Sequence, residues 1–293
     1  MNENTKAKLS LILSMFIFGT IGIFRKYVPL SSGLLAISRG YIGALFLILL
    51  IFIKKDKISF KAIKSNLLLL CLSGGFIGIN WILLFEAYKY TTVSVATLSY
   101  YFAPVIVTVA CPILFKEKMG MKQWICFIMS TVGIVLITGI GDTSQSSDNI
   151  KGILFGLGAA ALYATVILLN KFTKTVDGIH RTFMQFISAI AVLVPYVLLT
   201  DGINLKTLDK KGWIFLLVIG IVHTGITYCL YFSSLKELPG QKAAILSYID
   251  PLVAVLVSVL VLKEDMTPMQ AVGGILILGF TLWNEITLKK VKK

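Results

Sequence analysis

Ionisable side chains are scarce in this 293-residue sequence: 14% of residues are charged, acidic residues number 14, and the only histidines are His180 and His223. Two histidines and four cysteines (Cys71, Cys111, Cys126 and Cys229) without ligand spacing argue against a metal centre. No glycine-rich phosphate loop opens a helix, which argues against an ATP-driven step within the chain. The cysteines fall inside apolar segments and read as small core residues, silent about redox compartment. A net charge of +14 suggests nucleic acid at first sight, but the basic residues are dispersed over short turns rather than gathered on one face. Neither cofactor, metal nor nucleic acid is expected.

What the sequence has in abundance is apolar length. Hydrophobic residues make up 57% of the chain and mean hydropathy is +0.87, unlike a soluble protein. Runs of 18 or more apolar residues recur along the chain, each long enough for a hydrocarbon core of about 30 Å. Ten are predicted, at residues 8–25, 34–53, 66–88, 94–115, 123–141, 152–170, 182–200, 213–235, 243–262 and 269–288. The expected class is an all-α integral membrane protein with the lipid bilayer as solvent. The first run follows Lys6 and Lys8 but passes directly into Arg25-Lys26 without a small-residue cleavage site, so it reads as an uncleaved span.

The segment Ser94–Glu117, SVATLSYYFAPVIVTVACPILFKE, occurs a second time in degenerate form as Gln241–Glu264, QKAAILSYIDPLVAVLVSVLVLKE. A shift of 147 positions superposes Tyr101 on Tyr248, Pro104 on Pro251, Lys116 on Lys263 and Glu117 on Glu264; from Phe85/Phe232 to Gln123/Gln270, nine of 39 positions are identical without a gap. Each copy carries one aligned proline near its middle, where a missing N–H and a ring clash predict a bend. Residues 141–150, GDTSQSSDNI, form a polar joint with five runs on either side. Five being odd, the second half enters the membrane with opposite orientation. The expected organisation is therefore two inverted five-helix repeats, residues 8–141 and 151–288, which is the architecture of alternating-access carriers with a site near mid-membrane. Loops on the side of the N-terminus hold 19 Lys/Arg and those on the other side eight, which predicts cytoplasmic termini in a cell (plasma or inner) membrane.

The residues Ala87-Tyr88-Lys89-Tyr90-Thr91-Thr92, then Pro104, then Glu117, resemble the Ala-Leu-x-x-Thr, Pro and Gly-Glu pattern of the ten-helix EamA branch of the drug/metabolite transporter superfamily. Arg39, early in the second run, is similar too. The resemblance covers both halves and implies transport of a small metabolite (amino acids, organic acids, amines, nucleotide-linked sugars or drugs) by proton coupling or exchange. The sequence departs from the pattern twice: Lys116 and Lys263 stand where Gly is usual before the Glu, and Asp250 precedes the second proline where the first copy has Ala103.

A charge at mid-membrane costs about 2.5–3.5 kcal/mol on insertion scales and so needs a reason. Asp250 and His223 lie near the middles of the ninth and eighth runs. They are read either as a proton-coupling or amine site, more so if they meet, or as a cap for the Pro251 bend and a structural hydrogen bond. Arg39 and Glu86 lie toward one end of the second and third runs and read as an ion pair or, for Arg39, as a carboxylate receptor. Glu117 and Glu264 read as anchors of helix ends. Asn80, Trp81, Tyr101, Tyr163, Tyr228 and Tyr248 complete the candidate substrate-binding set, and Thr97, Tyr101, Pro104, Thr108 and Cys111 form one helical stripe too polar to face lipid. A protease reading from Gly139-Ile140-Gly141-Asp142 is weak, because Asp142 falls outside the hydrocarbon and far from Asp250. The sequence thus predicts a non-enzymatic secondary carrier of a small polar or amphipathic metabolite; the alternative is a membrane component that binds or flips a lipid-linked group. Oligomeric state is not legible.

Overall fold

The computed structural model describes residues 3–55, 60–115, 120–138, 147–170, 172–173, 176–200, 202–238 and 246–287. Among them the chain is all-helical. Its elements are α1 (Glu3–Gly19), α2 (Ile21–Lys26), α3 (Ser32–Lys54), α4 (Phe60–Ser65), α5 (Leu67–Tyr90), α6 (Val93–Tyr100), α7 (Ala103–Phe115), α8 (Met121–Thr138), α9 (Ser147–Asn170), α10 (Gly178–Thr200), α11 (Lys210–Leu217), a π-helical stretch (Val218–Ile226), α12 (Thr227–Glu237), α13 (Ile249–Leu260) and α14 (Pro268–Thr287). Three helices, α3, α6 and α11, start at side-chain caps. The hydroxyls of Ser31 and Thr92 accept the N–H groups of Leu34 and Val95, and the Asp209 carboxylate accepts that of Gly212.

Seven described helical segments are long and apolar enough to cross a membrane, while Met121–Ile137 and Ile249–Leu260 are shorter apolar helices. Large apolar side chains point outward, with Phe52 and Leu199 82% and 86% exposed, as expected where the surrounding solvent is lipid. Polar residues are turned inward and bonded to one another. Gln185 on α10, for instance, donates to Ser73 on α5 and Asn170 on α9, both at 2.8 Å.

Two differences from the sequence reading matter for the site. First, the run 94–115 is not one bent helix. It breaks at Tyr101-Phe102, and Pro104 is the second residue of α7, where its missing N–H leaves no intrahelical bond unmade. A second break falls at the aligned position, Tyr248, with Pro251 in the first turn of α13. The stripe through Thr97 and Thr108 is therefore divided: Tyr101 and Pro104 stay with Thr97, whereas Thr108 accepts a bond from Asn284 on α14 at 3.0 Å. Cys111, Glu117 and Asp142 lie outside the residues whose side chains are described. Second, the eighth run carries a π-helical stretch where Thr224, and Thr227 just after it, donate their hydroxyls to carbonyls five residues earlier, Ile219 and Val222. Nothing in the apolar pattern signals this widened turn.

Close packing depends on small residues, as expected where lipid tails compete equally for apolar side chains. At the α8–α14 contact a Cβ on Gly273 would lie 2.5 Å from the carbonyl oxygen of Gly133, and one on Gly133 would lie 2.7 Å from that of Gly273. Gly273→Val is expected to force these backbones apart at a cost of about 1–3 kcal/mol. It should appear as a lowered melting temperature in detergent without any change in substrate preference.

Candidate functional site

The two broken segments face each other across a cavity of about 260 Å³ at the centre of the bundle. One wall comes from the break between α6 and α7 (Thr97, Tyr100, Tyr101, Ala103, Pro104) and the opposite one from the break before α13 (Ser247, Tyr248, Asp250, Ala254). The remaining walls are Phe18 and Gly19 of α1, Arg39 of α3, Asn80, Trp81 and Tyr88 of α5, Tyr163 of α9, and Tyr228 and Tyr231 of α12. The α1 wall lies tight against the second break: a Cβ on Gly19 would sit 2.5 Å from the Asp250 carbonyl oxygen.

Asp250 sits in the first turn of α13, at the helix end whose dipole attracts anions. Its carboxyl accepts the Tyr101 hydroxyl at 2.6 Å. This bond joins the two break points, and the Tyr101 and Tyr248 rings stand 6.5 Å apart beside it.

Arg39 is 3% exposed. Its guanidinium lies 4.5 Å over the Trp81 ring and 5.5 Å over that of Phe85, and Nε donates to the Thr224 hydroxyl at 3.2 Å. The π-helical turn positions that hydroxyl, which donates in turn to Ile219. Aromatic faces offset part of the cost of burying the cation, but among the described residues no carboxylate pairs with it. The expected Arg39–Glu86 ion pair does not form. Glu86 lies one residue past Phe85, turned off the face that meets Arg39, and pairs with Lys89 one turn along at 2.7 Å; it does not line the cavity.

His223 is also placed apart. Its Nε2 lies 3.1 Å from the Thr20 hydroxyl and its Nδ1 3.4 Å from the Val218 carbonyl, with the ring against Phe24; it neither lines the cavity nor bonds Asp250. The two do not meet because the π-helical stretch turns His223 toward the break between α1 and α2. Asn80 lines the cavity but spends its amide on the Ala159 carbonyl at 2.6 Å, tying α5 to α9.

The other aromatic candidates pack in two groups, one around Tyr100 and Tyr101 and one around Tyr228 and Trp81. Tyr100 lies tilted against Tyr163 at 5.4 Å, Tyr228 meets Phe18 edge-on at 5.3 Å, and Trp81 meets Phe186 edge-on at 5.2 Å. Pro251 is buried in the first turn of α13 and does not line the cavity. The sequence reading omitted Tyr88 and Phe18 from the site. Tyr88, 3.4 Å from the Thr97 hydroxyl, sits within the quoted Ala87–Thr92 segment, and its place one helical turn after Leu84 and two after Trp81 is the signal that would have found it. The arrangement offers one half-buried acid, one buried cation and aromatic walls, with room for a small organic molecule.

Comparison with known proteins agrees with this architecture. The chain matches the EamA-like transporter family twice, over residues 5–139 and 150–284. It is 31% identical over 254 residues to the uncharacterized transporter YxxF of Bacillus subtilis (strain 168), covering 86% of this chain and 81% of that one. It is 25% identical over 297 residues to the uncharacterized inner membrane transporter YicL of Salmonella typhimurium, covering 95% of each. A solved crystal structure superposes with a TM-score of 0.66 over 99% of both chains at 14% identity, a likeness of fold.

Proposed function

Since this chain belongs to the EamA-like transporter family and is a multi-pass membrane protein, we propose that it is a secondary-active carrier of a small zwitterionic or amphipathic metabolite, of the amino-acid, organic-acid or amine class, working by alternating access. The observation that carries this reading is the joint presence of Arg39 and Asp250 in one aromatic-walled cavity without an ion pair between them. Two groups of opposite charge, held by aromatic faces and single hydrogen bonds but without a counter-ion among the described residues, are costly at mid-membrane. A substrate bearing a carboxylate and an ammonium offsets both, and an aromatic lining accepts its apolar part.

Ten spans in two inverted halves, with both termini cytoplasmic in the cell membrane, complete the proposal. Packing supports the inversion. If spans are numbered from the sequence runs, exchanging the first five for the last five maps the α5–α9 contact onto α12–α1, α5–α10 onto the packing of the π-helical stretch with α3, and α9–α6 onto α1–α13, while α8–α14 maps onto itself. The breaks at Tyr101 and Tyr248, 147 residues apart, obey the same exchange. Proton coupling or exchange is proposed through Asp250, the acid that the first repeat lacks.

A second reading, binding or flipping of a lipid-linked group, draws on one observation. Tyr248 also borders an apolar groove of about 460 Å³ between α13 and α14, lined by Leu252, Val255, Gly274 and Leu278, where an alkyl tail would fit. Uptake and efflux of amino acids, carboxylates, amines and lipid-linked analogues by proteoliposomes separates the two. Carriage of a water-soluble zwitterion supports the carrier, and movement of lipid-linked probes alone refutes it.

A further inference from the structure

One helical turn beyond the cavity, three elements converge on a single carboxylate. Glu264 Oε2 accepts the backbone N–H of Val93 at 2.8 Å and the Ser258 hydroxyl at 2.5 Å, and Oε1 pairs with the Lys26 ammonium. Ser258 Oγ accepts the N–H of Ser94 at 3.2 Å. Lys26 ends α2, Val93 and Ser94 begin α6, and Ser258 is in α13. Each of these elements lines the cavity about one turn away along its helix, through Ile21, Thr97 and Ala254 respectively.

The partners show that this is more than a local helix anchor. Glu264 follows the C-terminal end of α13, where the helix dipole disfavours an anion, and its charge is instead matched to the N-terminal end of α6. The first N–H groups of a helix have no intrahelical acceptor. On α6 the Thr92 hydroxyl takes the one from Val95, leaving those of Val93 and Ser94 to Glu264 and Ser258. The side chain reaches them because the backbone reverses just before it. Lys263 adopts a left-handed conformation, φ 53°, and the Glu264 N–H returns to the Ser258 carbonyl at 3.0 Å. That region is unfavourable for a residue with a Cβ, and persists only where the surroundings hold it. Glu264 is 11% exposed, Lys26 39%, so the carboxylate is enclosed while its counter-ion reaches water. Such a contact can be released.

We propose that Glu264 is a gating residue: its bonds to Val93, Ser258 and Lys26 hold this end of the cavity shut, and they break together when the cavity opens there. The assignment rests on the alternating-access reading above, which requires each end to open in turn.

The test uses the full chain in oriented proteoliposomes, with the four native cysteines replaced by alanine and a single reporter, Ala254→Cys, in the cavity. Labelling by a membrane-impermeant maleimide is timed from each face. Glu264→Gln is expected to speed labelling from the Glu264 face roughly tenfold, the scale of one lost charge-assisted hydrogen bond, and to leave or slow labelling from the opposite face. Lys26→Ala and Ser258→Ala should act in the same direction, more weakly, and they keep the idea testable should Glu264→Gln fold poorly. A disulfide between cysteines at 26 and 264 should stop labelling from that face until reduced. Unchanged rates in all three variants, or labelling that continues through the cross-link, overturn the gate while leaving the carrier standing. If the reporter is reached from one face only, in the parent and in every variant, alternating access itself falls and the gate with it.

Discussion

Replacing Asp250 with asparagine is expected to abolish concentrative transport while leaving the fold and membrane insertion intact. Asparagine keeps the shape of the side chain, and its amide oxygen still accepts the Tyr101 hydroxyl that joins the two breaks. What it cannot do is change charge. A carboxyl enclosed at this depth is neutralised either by a proton or by a substrate ammonium, and a carrier that alternates between these partners couples one flux to the other. The scaffold does not need the acid, for the aligned residue of the first repeat is Ala103, the first residue of an equally well-formed α7. Loss of a positioned proton carrier is expected to lower pH-driven uptake or efflux roughly a hundredfold, leaving at most an exchange that no longer follows pH. Proteoliposomes with an imposed pH gradient provide the measurement. Full concentrative transport with an unaltered pH profile in Asp250→Asn would reduce the residue to a cap on the first turn of α13.

The second large effect is expected at Arg39. Its guanidinium is held by geometry that lysine cannot reproduce, with a planar face over Trp81 and Phe85 and Nε fixed on Thr224. Arg39→Lys retains the charge but loses the stacking and the forked donors, so the apparent KM for a carboxylate-bearing substrate should rise about tenfold, near 1.4 kcal/mol. Arg39→Met should remove that transport altogether. Stability moves the other way, because exchanging a buried cation for an apolar side chain of similar length is often neutral or stabilising. A methionine variant that is at least as heat-stable as the parent yet inactive assigns Arg39 to the substrate. One that unfolds and is inactive only in proportion assigns it to the scaffold.

Much of this was legible in the sequence, because membrane proteins write their architecture in apolar length and their function in the few charges they keep. The runs match seven long apolar helices, and the repeat points to weak places near Pro104 and Pro251, although it reads them as bends and the breaks fall three residues earlier, at Tyr101 and Tyr248. Asp250 and Arg39 announced themselves as charges within apolar runs. What failed were inferences about pairing. Glu86 and Arg39 lie at similar depth, yet rotation about α5 decides their partners, and depth is all that a run of apolar residues reveals. His223 has the depth of Asp250 but is turned away by a π-helical stretch that no residue pattern marks. The lysine at 263, a departure from the Gly-Glu pattern, gains its meaning only from its left-handed backbone, the conformation for which glycine is the usual choice. Once that turn is known, Glu264 is seen to reach across to α6.

The central claim, that Arg39 and Asp250 receive the two ends of one substrate, is tested most directly by crossing substrate with protein. Transport of a zwitterion, its carboxamide and its decarboxylated amine is measured in the parent, Arg39→Gln and Asp250→Asn, and each loss is expressed as a ratio to the parent zwitterion rate. The account predicts that the parent prefers the zwitterion, that Arg39→Gln no longer distinguishes it from the carboxamide or the amine, and that Asp250→Asn no longer requires the ammonium. Parent-like discrimination among the three compounds in both variants would contradict it.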